Sequence, residues 1–407
     1  MNHIEMMRIL EDNAYTRTSG TVQERQCAQY IMDFVSGLGY QGILQPFDVS
    51  MADISVAELT VDGISVPCKG YFCAGCWDVE AELYYLRNTD EISLSNCKGK
   101  IVLLDSFVGC WKYQDLVQSG AVGYITCNGD AFKDQRDIDQ KEQRAYVHKG
   151  KRMPAVNIHS ADAIEIVRRK GKIAHIRLQQ EEWTGQSHNV ILDIPGQTSE
   201  YIAFTAHYDS THLSKGVYDN MSGCVGLMYM AEYFAKRPPF RSLRFIWCGS
   251  EERGLLGSKF YCSDEERIRD CVLNINLDMI GCLMGKFISC VSAEEAVCTY
   301  LKCLSSELGF PNEVYQGIYS SDSTPFADRE IPAISFARNT SRTMAGYHDR
   351  YDILEVMSGE QMKEDFDFVL AFAIRMAQAK RIPFAGKMPE KIRAKLDNYL
   401  GVKRLDP

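Results

Sequence analysis

The sequence lacks the features that mark membrane, exported and nucleic-acid-binding proteins. No stretch approaches the roughly 18 uninterrupted apolar residues that a membrane-spanning helix needs, so we expect no membrane partner. The segment from Met1 to Arg17 carries acidic residues early and has no apolar core of signal-peptide length. We therefore expect a cytoplasmic protein, or a secreted one if a leader has been trimmed. Acidic residues outnumber basic ones, 54 to 45, and the net charge of −9 argues against nucleic acid as a main partner.

The sequence also lacks the cysteine spacing of a closed structural zinc site, although it has 15 cysteines. Because no export signal is visible, we expect these cysteines to be reduced thiols. Cys73 and Cys76 form a single CxxC with Cys68 nearby, and no second CxxC completes the four ligands of a closed zinc site. We interpret the cysteines as small, buried apolar side chains rather than as a zinc or redox site.

The composition is that of a globular protein, and the pattern of apolar and polar residues changes along the chain. Apolar residues make up 45% of the 407 residues and charged residues 24%, which allows two or three domains around full cores. Thr21 and Glu24 have the spacing of a capping box and precede apolar residues at helical spacing, which predicts a helix over 21–38. Residues about 50–182 carry short β-rich runs between turns and polar loops, including a highly charged excursion over 133–152.

From about residue 187, strand-like runs alternate with helical segments. The predicted strands are 189–194, 201–206, 243–248, 272–277 and 333–336. The predicted helices are 221–236, 257–263, 293–308 and 359–380. This alternation predicts an α/β fold with a mixed, largely parallel central sheet flanked by helices, together with an inserted β-rich domain.

Metal-binding residue types lie where these predicted strands end or beside glycine turns. They are His207, Asp209, Asp219, Glu251, Glu252, Asp278 and His348. In open α/β sheets, ligands bind at the carboxyl ends of the strands, so residues just after strands are placed for chemistry. Two histidines and several carboxylates, with no cysteine among them, are what a pair of divalent ions needs in order to activate water. The pattern therefore indicates a hydrolase.

Glu251 and Glu252 are the strongest single indication of a metal site in this set. They follow an apolar strand and precede a glycine-rich turn. Burial of two neighbouring carboxylates at the end of a core strand is costly unless a cation neutralises them. One glutamate can bind a metal ion while the other serves as general base and then as proton donor.

The other members of the set are ambiguous one by one. Of His207 and Asp209, at positions i and i+2, one can bind metal while the other orients the imidazole. Asp219 either bridges two ions or caps the following helix. Asp278 follows an apolar strand. His348 lies in a loop, and taken alone it fits an ordinary surface or core histidine as well as a metal ligand. Their order and their strand-end placement together make the case for a site.

The succession AHYDS, YDNMSG, SEERGLLGS, NLDMIG and GYHD resembles metallopeptidase family 28, the co-catalytic zinc aminopeptidases. That family also includes glutamate carboxypeptidases and catalytically dead transferrin receptors. Residues about 60–180 resemble a protease-associated domain, an insertion common in the family. The resemblance implies the N-terminal part of a catalytic domain over 1–50, a protease-associated insertion over 51–182 and the zinc-peptidase-like, three-layer catalytic domain over 183–384. We assign no role to the polar tail over 385–407.

The resemblance implies two zinc ions, for which cobalt or manganese could substitute. His207 and Asp278 would hold one ion, and Glu252 and His348 the other. Asp219 would bridge the two ions. Because all five ligand positions are present, the resemblance disfavours the receptor branch.

Three further roles follow from the same resemblance. Glu251 would be the general acid and base, and Asp209 would steady His207. Tyr347 resembles a tyrosine that polarises the scissile carbonyl or stabilises its oxyanion in some members. The last motif reads HDRYD where the family more usually has His-Thr-Pro, which keeps the histidine but changes the local loop.

These roles predict a dinuclear zinc exopeptidase, foremost an aminopeptidase that hydrolyses N-terminal residues of a peptide or small amide. The same metal site also suits a dipeptidase, a carboxypeptidase or an N-acyl deacylase, and a receptor-like binding protein is the alternative from another class. Family 20 hydrolases share a similar residue series, and glutaminyl cyclases share the fold with a single zinc. DNMSG and the insertion favour family 28. No oligomeric state is predicted.

Overall fold

The computed structural model describes residues 1–384 and 387–405. The larger of two compact units comprises Met1–Val49 and Gln186–Leu405, and the smaller comprises Ser50–Gly185. The insertion predicted over 51–182 falls within the smaller unit. Residues 385, 386, 406 and 407 of the predicted tail lie outside the described residues. None of the described helices combines the length and the apolar character needed to cross a membrane.

The described elements are numbered in chain order. The helices are α1 His3–Asp12, α2 Val22–Gly37, α3 Glu91–Ser95, α4 Cys110–Gln118, α5 Ala145–His148, α6 Ser160–Arg168, α7 Ser222–Ala235, α8 Leu256–Cys262, α9 Glu265–Ile268, α10 Glu295–Leu308, α11 Ser323–Asp328, α12 Gly359–Gln378 and α13 Glu390–Tyr399. The strands are β1 Ile43–Val61, β2 Ile64–Val66, β3 Cys68–Gly70, β4 Trp77–Tyr85, β5 Ile101–Leu103, β6 Gly123–Asn128, β7 Ala155–His159, β8 Ile173–Ile194, β9 Thr198–His207, β10 Arg241–Cys248, β11 Cys271–Leu277, β12 Lys286–Ser292, β13 Glu313–Gln316 and β14 Ala333–Asn339. A π-helical turn, Val217–Met221, precedes α7.

The larger unit is built on a sheet with strand order β13-β12-β14-β11-β9-β10-β8. Four of these six neighbouring pairs are parallel, and β12 with β14 and β10 with β8 are antiparallel. The prediction of a mixed, largely parallel central sheet flanked by helices is confirmed. In the register of the central pair, Cys248 lies opposite His207, so β9 and β10 end at the same level.

Both faces of this sheet are covered, which explains why its central strands read as nearly continuous apolar runs. Phe204 and Phe245 stack at 4.6 Å between ring centroids on the face that also buries Phe234 of α7. The opposite face buries Ala203 against a smaller cluster that includes Leu396 of α13. The predicted tail therefore contributes a helix with two buried side chains, Ile392 and Leu396, which its polar composition did not indicate.

Helix α2 confirms the helix predicted over 21–38, with Thr21 as its N-cap. The Thr21 side chain accepts a hydrogen bond from the Glu24 N–H at 3.3 Å. The Glu24 carboxylate does not return to Thr21. It accepts hydrogen bonds from the Gly20 N–H at 2.6 Å and from the Ser187 hydroxyl at 2.7 Å. The capping box is thus half formed, and the carboxylate serves contacts that are remote in sequence.

The smaller unit contains the parallel strands β5, β6 and β7, with β4 parallel to β5 and β3 antiparallel to β7. Its own core packs around Val102, Tyr124 and Val156. The charged excursion over 133–152 is mostly irregular and includes the short helix α5. All 15 cysteines of the chain are free thiols, and Cys76 is exposed.

Candidate metal centre

The candidate centre lies at the carboxyl edge of four neighbouring parallel strands. His207 is the last residue of β9, Glu251 follows β10 and Asp278 follows β11. His348 lies in the loop after β14, and Asp219 lies in the π-helical turn between β9 and α7. Because the carboxyl ends of β10, β9, β11 and β14 meet at one edge, the tertiary structure brings together residues separated by up to 141 positions in sequence, from His207 to His348.

Asp219 lies between the two histidines. Its Oδ1 is 3.1 Å from Nε2 of His207, and its Oδ2 is 3.0 Å from Nε2 of His348. Asp278 Oδ1 lies 3.7 Å from the same nitrogen of His207, and Glu252 Oε2 lies 3.1 Å from that of His348. Among the described residues, three sets of three ligand atoms lie within 4.8 Å of one another: His207 with Asp219 and Asp278, Asp219 with Glu252 and His348, and His207 with Glu251 and Glu252. Asp219 belongs to the first two of these sets. This arrangement suits two cations that share one carboxylate.

The donor chemistry of these residues fits divalent zinc. Imidazole nitrogen and carboxylate oxygen are common zinc ligands. Asp219, Asp278 and Glu251 are at most 9% exposed, and Asp278 Oδ1 accepts no hydrogen bond from any described residue. A buried carboxylate oxygen without a donor is costly unless a cation lies nearby. The residues present therefore fit the metal that their order implies.

The electrostatics of the cluster support the same reading. Burial raises the pKa of Glu251 well above its ordinary value, and the neighbouring carboxylate of Glu252 adds to that increase. Burial would lower the pKa of His207, but the surrounding carboxylates raise it well above its ordinary value. Burial would raise the pKa of Asp219, but hydrogen bonds to His207 and His348 lower it. The cluster thus holds an excess of negative charge that divalent cations would neutralise.

Asp209 is fully buried and contacts both ends of the centre. Nδ1 of His207 lies 3.4 Å from Oδ1 of Asp209 and 3.3 Å from the backbone carbonyl oxygen of the same residue, which are the contacts expected of a residue that orients the imidazole. The same carboxylate accepts hydrogen bonds from the backbone N–H groups of Glu251 at 2.9 Å and Glu252 at 3.2 Å. This second contact was not predicted, because it joins the ends of two strands whose adjacency the sequence does not specify.

Tyr347 lies directly beside His348, with 5.2 Å between the two ring centroids. The guanidinium carbon of Arg342 is 4.3 Å from the Tyr347 ring centroid on the same loop. The structure thus places Tyr347 at the border of the centre.

Asn220 is a contributor that the sequence reasoning missed. Its side-chain N–H donates to the carbonyl of Leu277 at 2.9 Å, and its Oδ1 accepts from the N–H of Met279 at 3.1 Å. These bonds tie the turn that carries Asp219 to the strand end that carries Asp278. A Cβ at Gly223 would lie 2.3 Å from the Leu277 carbonyl, so this close approach requires glycine. The DNMSG motif was a signal for such a close turn.

Asp352 is a second missed contributor. Its Oδ1 accepts from the N–H of Tyr218 at 2.7 Å, and its Oδ2 accepts from the Ser214 hydroxyl at 2.7 Å and from the N–H of Asp219 at 3.3 Å. Asp352 lies four residues after His348, so its hydrogen bonds connect the loop that carries His348 to the turn that carries Asp219. The altered HDRYD motif therefore retains a carboxylate that anchors the turn of Asp219.

A family model described as "Peptidase family M28" matches residues 189–373. Aminopeptidase YwaD of Bacillus subtilis is 27% identical over 256 residues, which is 60% of this chain and 55% of that protein. A probable leucine aminopeptidase 2 of Trichophyton verrucosum is 38% identical over 283 residues, which is 65% of this chain and 54% of that protein. The chain thus spans about half the length of these curated relatives.

Two solved structures share the fold over nearly the whole chain. An aminopeptidase from Aneurinibacillus sp. strain AM-1 matches with a TM-score of 0.76 and 24% identity, covering 95% of this chain and 96% of that one. BSAP, a zinc aminopeptidase from Bacillus subtilis, matches with a TM-score of 0.77 and 22% identity, covering 96% of this chain and 98% of that one.

Proposed function

From the premise that this chain belongs to peptidase family M28, we propose that it is a dinuclear zinc aminopeptidase that removes N-terminal residues from peptides. The observation that carries the proposal is the position of Asp219, whose two oxygens face different histidines at 3.1 and 3.0 Å. A carboxylate shared in this way is what a two-ion site needs. The names of the relatives, which are aminopeptidases, favour this substrate class.

In this proposal, His207 and Asp278 would hold one ion, Glu252 and His348 would hold the other, and Asp219 would contribute an oxygen to each. When bound, the zinc pair lowers the pKa of water and polarises the scissile carbonyl. Cobalt or manganese could replace zinc, because the ligands are nitrogen and oxygen atoms only.

Glu251 is the proposed general base. Its carboxylate accepts a proton from the attacking water and then returns a proton to the leaving amine nitrogen. Asp209 supports this role because it holds the Glu251 N–H at 2.9 Å. Asp209 also faces Nδ1 of His207, which leaves Nε2 of the imidazole as the ligand atom. Tyr347, whose ring lies beside that of His348, is the proposed donor to the developing oxyanion.

We further infer that the smaller unit, Ser50–Gly185, is a protease-associated domain. The segments that resemble such a domain fall at its core strands: Gly99–Leu103 leads into β5, and Gly120–Gly123 leads into β6. Deletion of an insertion of this kind should alter which substrates are cleaved while the residues of the metal centre remain present.

One panel of measurements tests the main proposal. The purified chain is assayed for bound metal, and then for hydrolysis of unblocked aminoacyl chromogenic substrates and their N-acetylated forms, with and without a chelator. We expect two zinc ions per chain and hydrolysis of the unblocked substrates only, with loss on chelation and recovery on addition of zinc.

Other outcomes would favour the alternatives with the same metal site. Preference for N-acetylated substrates would indicate a deacylase, and cleavage restricted to dipeptides would indicate a dipeptidase. Release of C-terminal residues from blocked peptides would indicate a carboxypeptidase. Bound metal without turnover of any substrate would indicate a binding protein and would overturn the proposal.

A further inference from the structure

Arg17 is a fully buried arginine whose guanidinium contacts backbone carbonyls. Its Nε donates to the carbonyl of Tyr208 at 2.7 Å, its Nη1 to that of Lys215 at 2.6 Å and its Nη2 to that of Gly216 at 2.9 Å. Nη1 also donates to the carbonyl of Asn13 at 2.6 Å within its own segment. Among the described residues, no carboxylate lies within ion-pair distance of this guanidinium.

Three of the carbonyls that Arg17 binds belong to one loop, residues 208–216, which joins two proposed metal ligands. Tyr208 directly follows His207, and Gly216 lies three residues before Asp219. The guanidinium therefore contacts the loop at both of its ends. The distance in space between His207 and Asp219 depends on how tightly this loop is folded.

Further contacts along the segment close the same loop. The N–H of Arg17 donates to the Ser210 hydroxyl at 2.9 Å, and the N–H of Ser210 donates to the carbonyl of Arg17 at 3.2 Å. The Thr16 hydroxyl donates to the carbonyl of Ser214 at 3.0 Å. A Cβ at Gly216 would lie 2.6 Å from Nη2 of Arg17, so the loop approaches the guanidinium as closely as the chain allows.

Burial of a guanidinium is costly, and the cost is offset only when its planar donors are matched. Here the donors are matched by carbonyls at the two ends of the 208–216 loop and by those of Asn13 and Tyr15. Lysine would keep the charge, but its single ammonium could not span Tyr208, Lys215 and Gly216 in the same geometry.

We propose that Arg17 is a positioning residue of the metal centre, which holds both ends of the 208–216 loop so that His207 and Asp219 reach a common ion. The proposal rests on the proposed function, because it concerns zinc binding by those ligands. In this proposal, an N-terminal segment that is remote in sequence from every ligand helps to hold the metal ligands in position.

The test uses a matched pair of variants, Arg17→Lys and Arg241→Lys. Arg241 is equally buried, but it donates to the carbonyls of Met376 at 3.0 Å and Ala379 at 2.9 Å and pairs with Glu200, none of which belongs to the centre. Zinc is titrated into each chelator-stripped full-length protein in competition with a fluorescent chelator, and thermal unfolding of the zinc-free proteins is recorded.

We expect both variants to lower Tm, and only Arg17→Lys to weaken zinc binding, by about tenfold or more, as is typical of residues that support metal ligands. Equal zinc affinity in the two variants would overturn the inference and leave Arg17 as a stabilising residue only.

If Arg17→Lys does not fold, Ser210→Ala provides a milder test, because it keeps the guanidinium and removes one hydroxyl, which accepts from the Arg17 N–H and contacts the carbonyls of Thr211 and Ser214 within the loop. It should weaken zinc binding in the same direction, and unchanged affinity would again overturn the inference. A wild-type protein that binds no zinc would instead overturn the proposed function itself, so the two failures are distinguishable.

Discussion

The carboxylate of Asp209 accepts a hydrogen bond of 2.9 Å from the backbone N–H of Glu251. Through this bond, a residue at the end of β9 sets the position of the proposed general base at the end of β10. The same carboxylate faces Nδ1 of His207 at 3.4 Å. One buried side chain therefore sets the orientation of a ligand and the placement of the base together, and a change at Asp209 should affect both.

Asp209→Asn tests this coupling. An amide has a single acceptor oxygen, so it cannot serve the N–H groups of Glu251 and Glu252 and also accept from His207. We expect zinc affinity to fall by about 10–100-fold, measured by competition with a fluorescent chelator. Asp264→Asn is the control, because Asp264 caps α9 and asparagine caps helices equally well. An Asp209→Asn protein with wild-type zinc affinity would contradict the role.

Glu251→Gln tests the general base. Glutamine keeps the size of the side chain but cannot accept a proton, so kcat should fall by about 10²–10⁴-fold while zinc content stays near that of the wild type. Its neighbour is the matched control: Glu252→Gln should lower zinc content, because Glu252 belongs to a set of ligand atoms with Asp219 and His348. Near wild-type turnover in Glu251→Gln would remove the base assignment.

The acid sensitivity of the fold should depend on His188. Its Nε2 lies 2.5 Å from Nη1 of Arg25, and burial together with that charge lowers the pKa of His188 from 6.5 to about 4. As the pH falls from 6.5 to 4, the unfolded chain binds this proton before the folded chain does. The contribution of neutral His188 to stability is therefore present above pH 6.5 and lost as the pH falls to 4.

His188→Gln should reduce this loss of stability at acid pH. The measurement is urea unfolding of zinc-free protein at several pH values from neutral to about 4, so that metal release does not contribute. Arg25→Gln should give an intermediate result, since it removes the charge but leaves the burial. Parallel pH profiles for the wild type and His188→Gln would rule out this contribution.

Helix α13 should contribute measurably to the free energy of unfolding. Leu396 is fully buried in a cluster with Tyr261 and Phe326, so Leu396→Ala should destabilise the protein by about 2–5 kcal/mol. Leu405 is 43% exposed, and Leu405→Ala should change stability by no more than about 0.5 kcal/mol. Chemical denaturation of both variants gives the comparison, and equal effects would show that α13 is not part of the cooperative core.

The elements of the central sheet were predictable because burial on both faces produces apolar runs of strand length. The predicted strands 201–206, 243–248 and 272–277 all lie within β9, β10 and β11. The predicted helices 293–308 and 359–380 correspond to α10 and α12 to within two residues at each end. β12 and β13 were not predicted, because serine, cysteine and charged residues interrupt their apolar pattern.

Contacts between segments that are remote in sequence were harder to predict. Thr21 and Glu24 were interpreted as a local capping box, but the Glu24 carboxylate instead accepts from the N–H of Ser250 at 3.2 Å. Burial raises the pKa of Glu24 to about 8, and the like charge of Asp209 adds to the increase, while the hydrogen bonds that Glu24 accepts oppose it. A partner 226 positions away leaves no local signal, so only the packed chain reveals it.

The sequence by itself determined the α/β alternation, the residue types at the strand ends and hence the kind of chemistry that this edge of the sheet can perform, because periodicity and residue type are local properties. Only the tertiary structure decided that Asp219 lies between His207 and His348, that Asp209 holds Glu251, and that Arg17 contacts both ends of the 208–216 loop. Those relationships depend on which strands are neighbours and how closely the loops pack, and burial of the whole chain sets both. The metal-binding residue types were visible in the sequence, and the family resemblance implied how they divide between two ions. The distances that put the two oxygens of Asp219 beside different histidines are visible only in the fold.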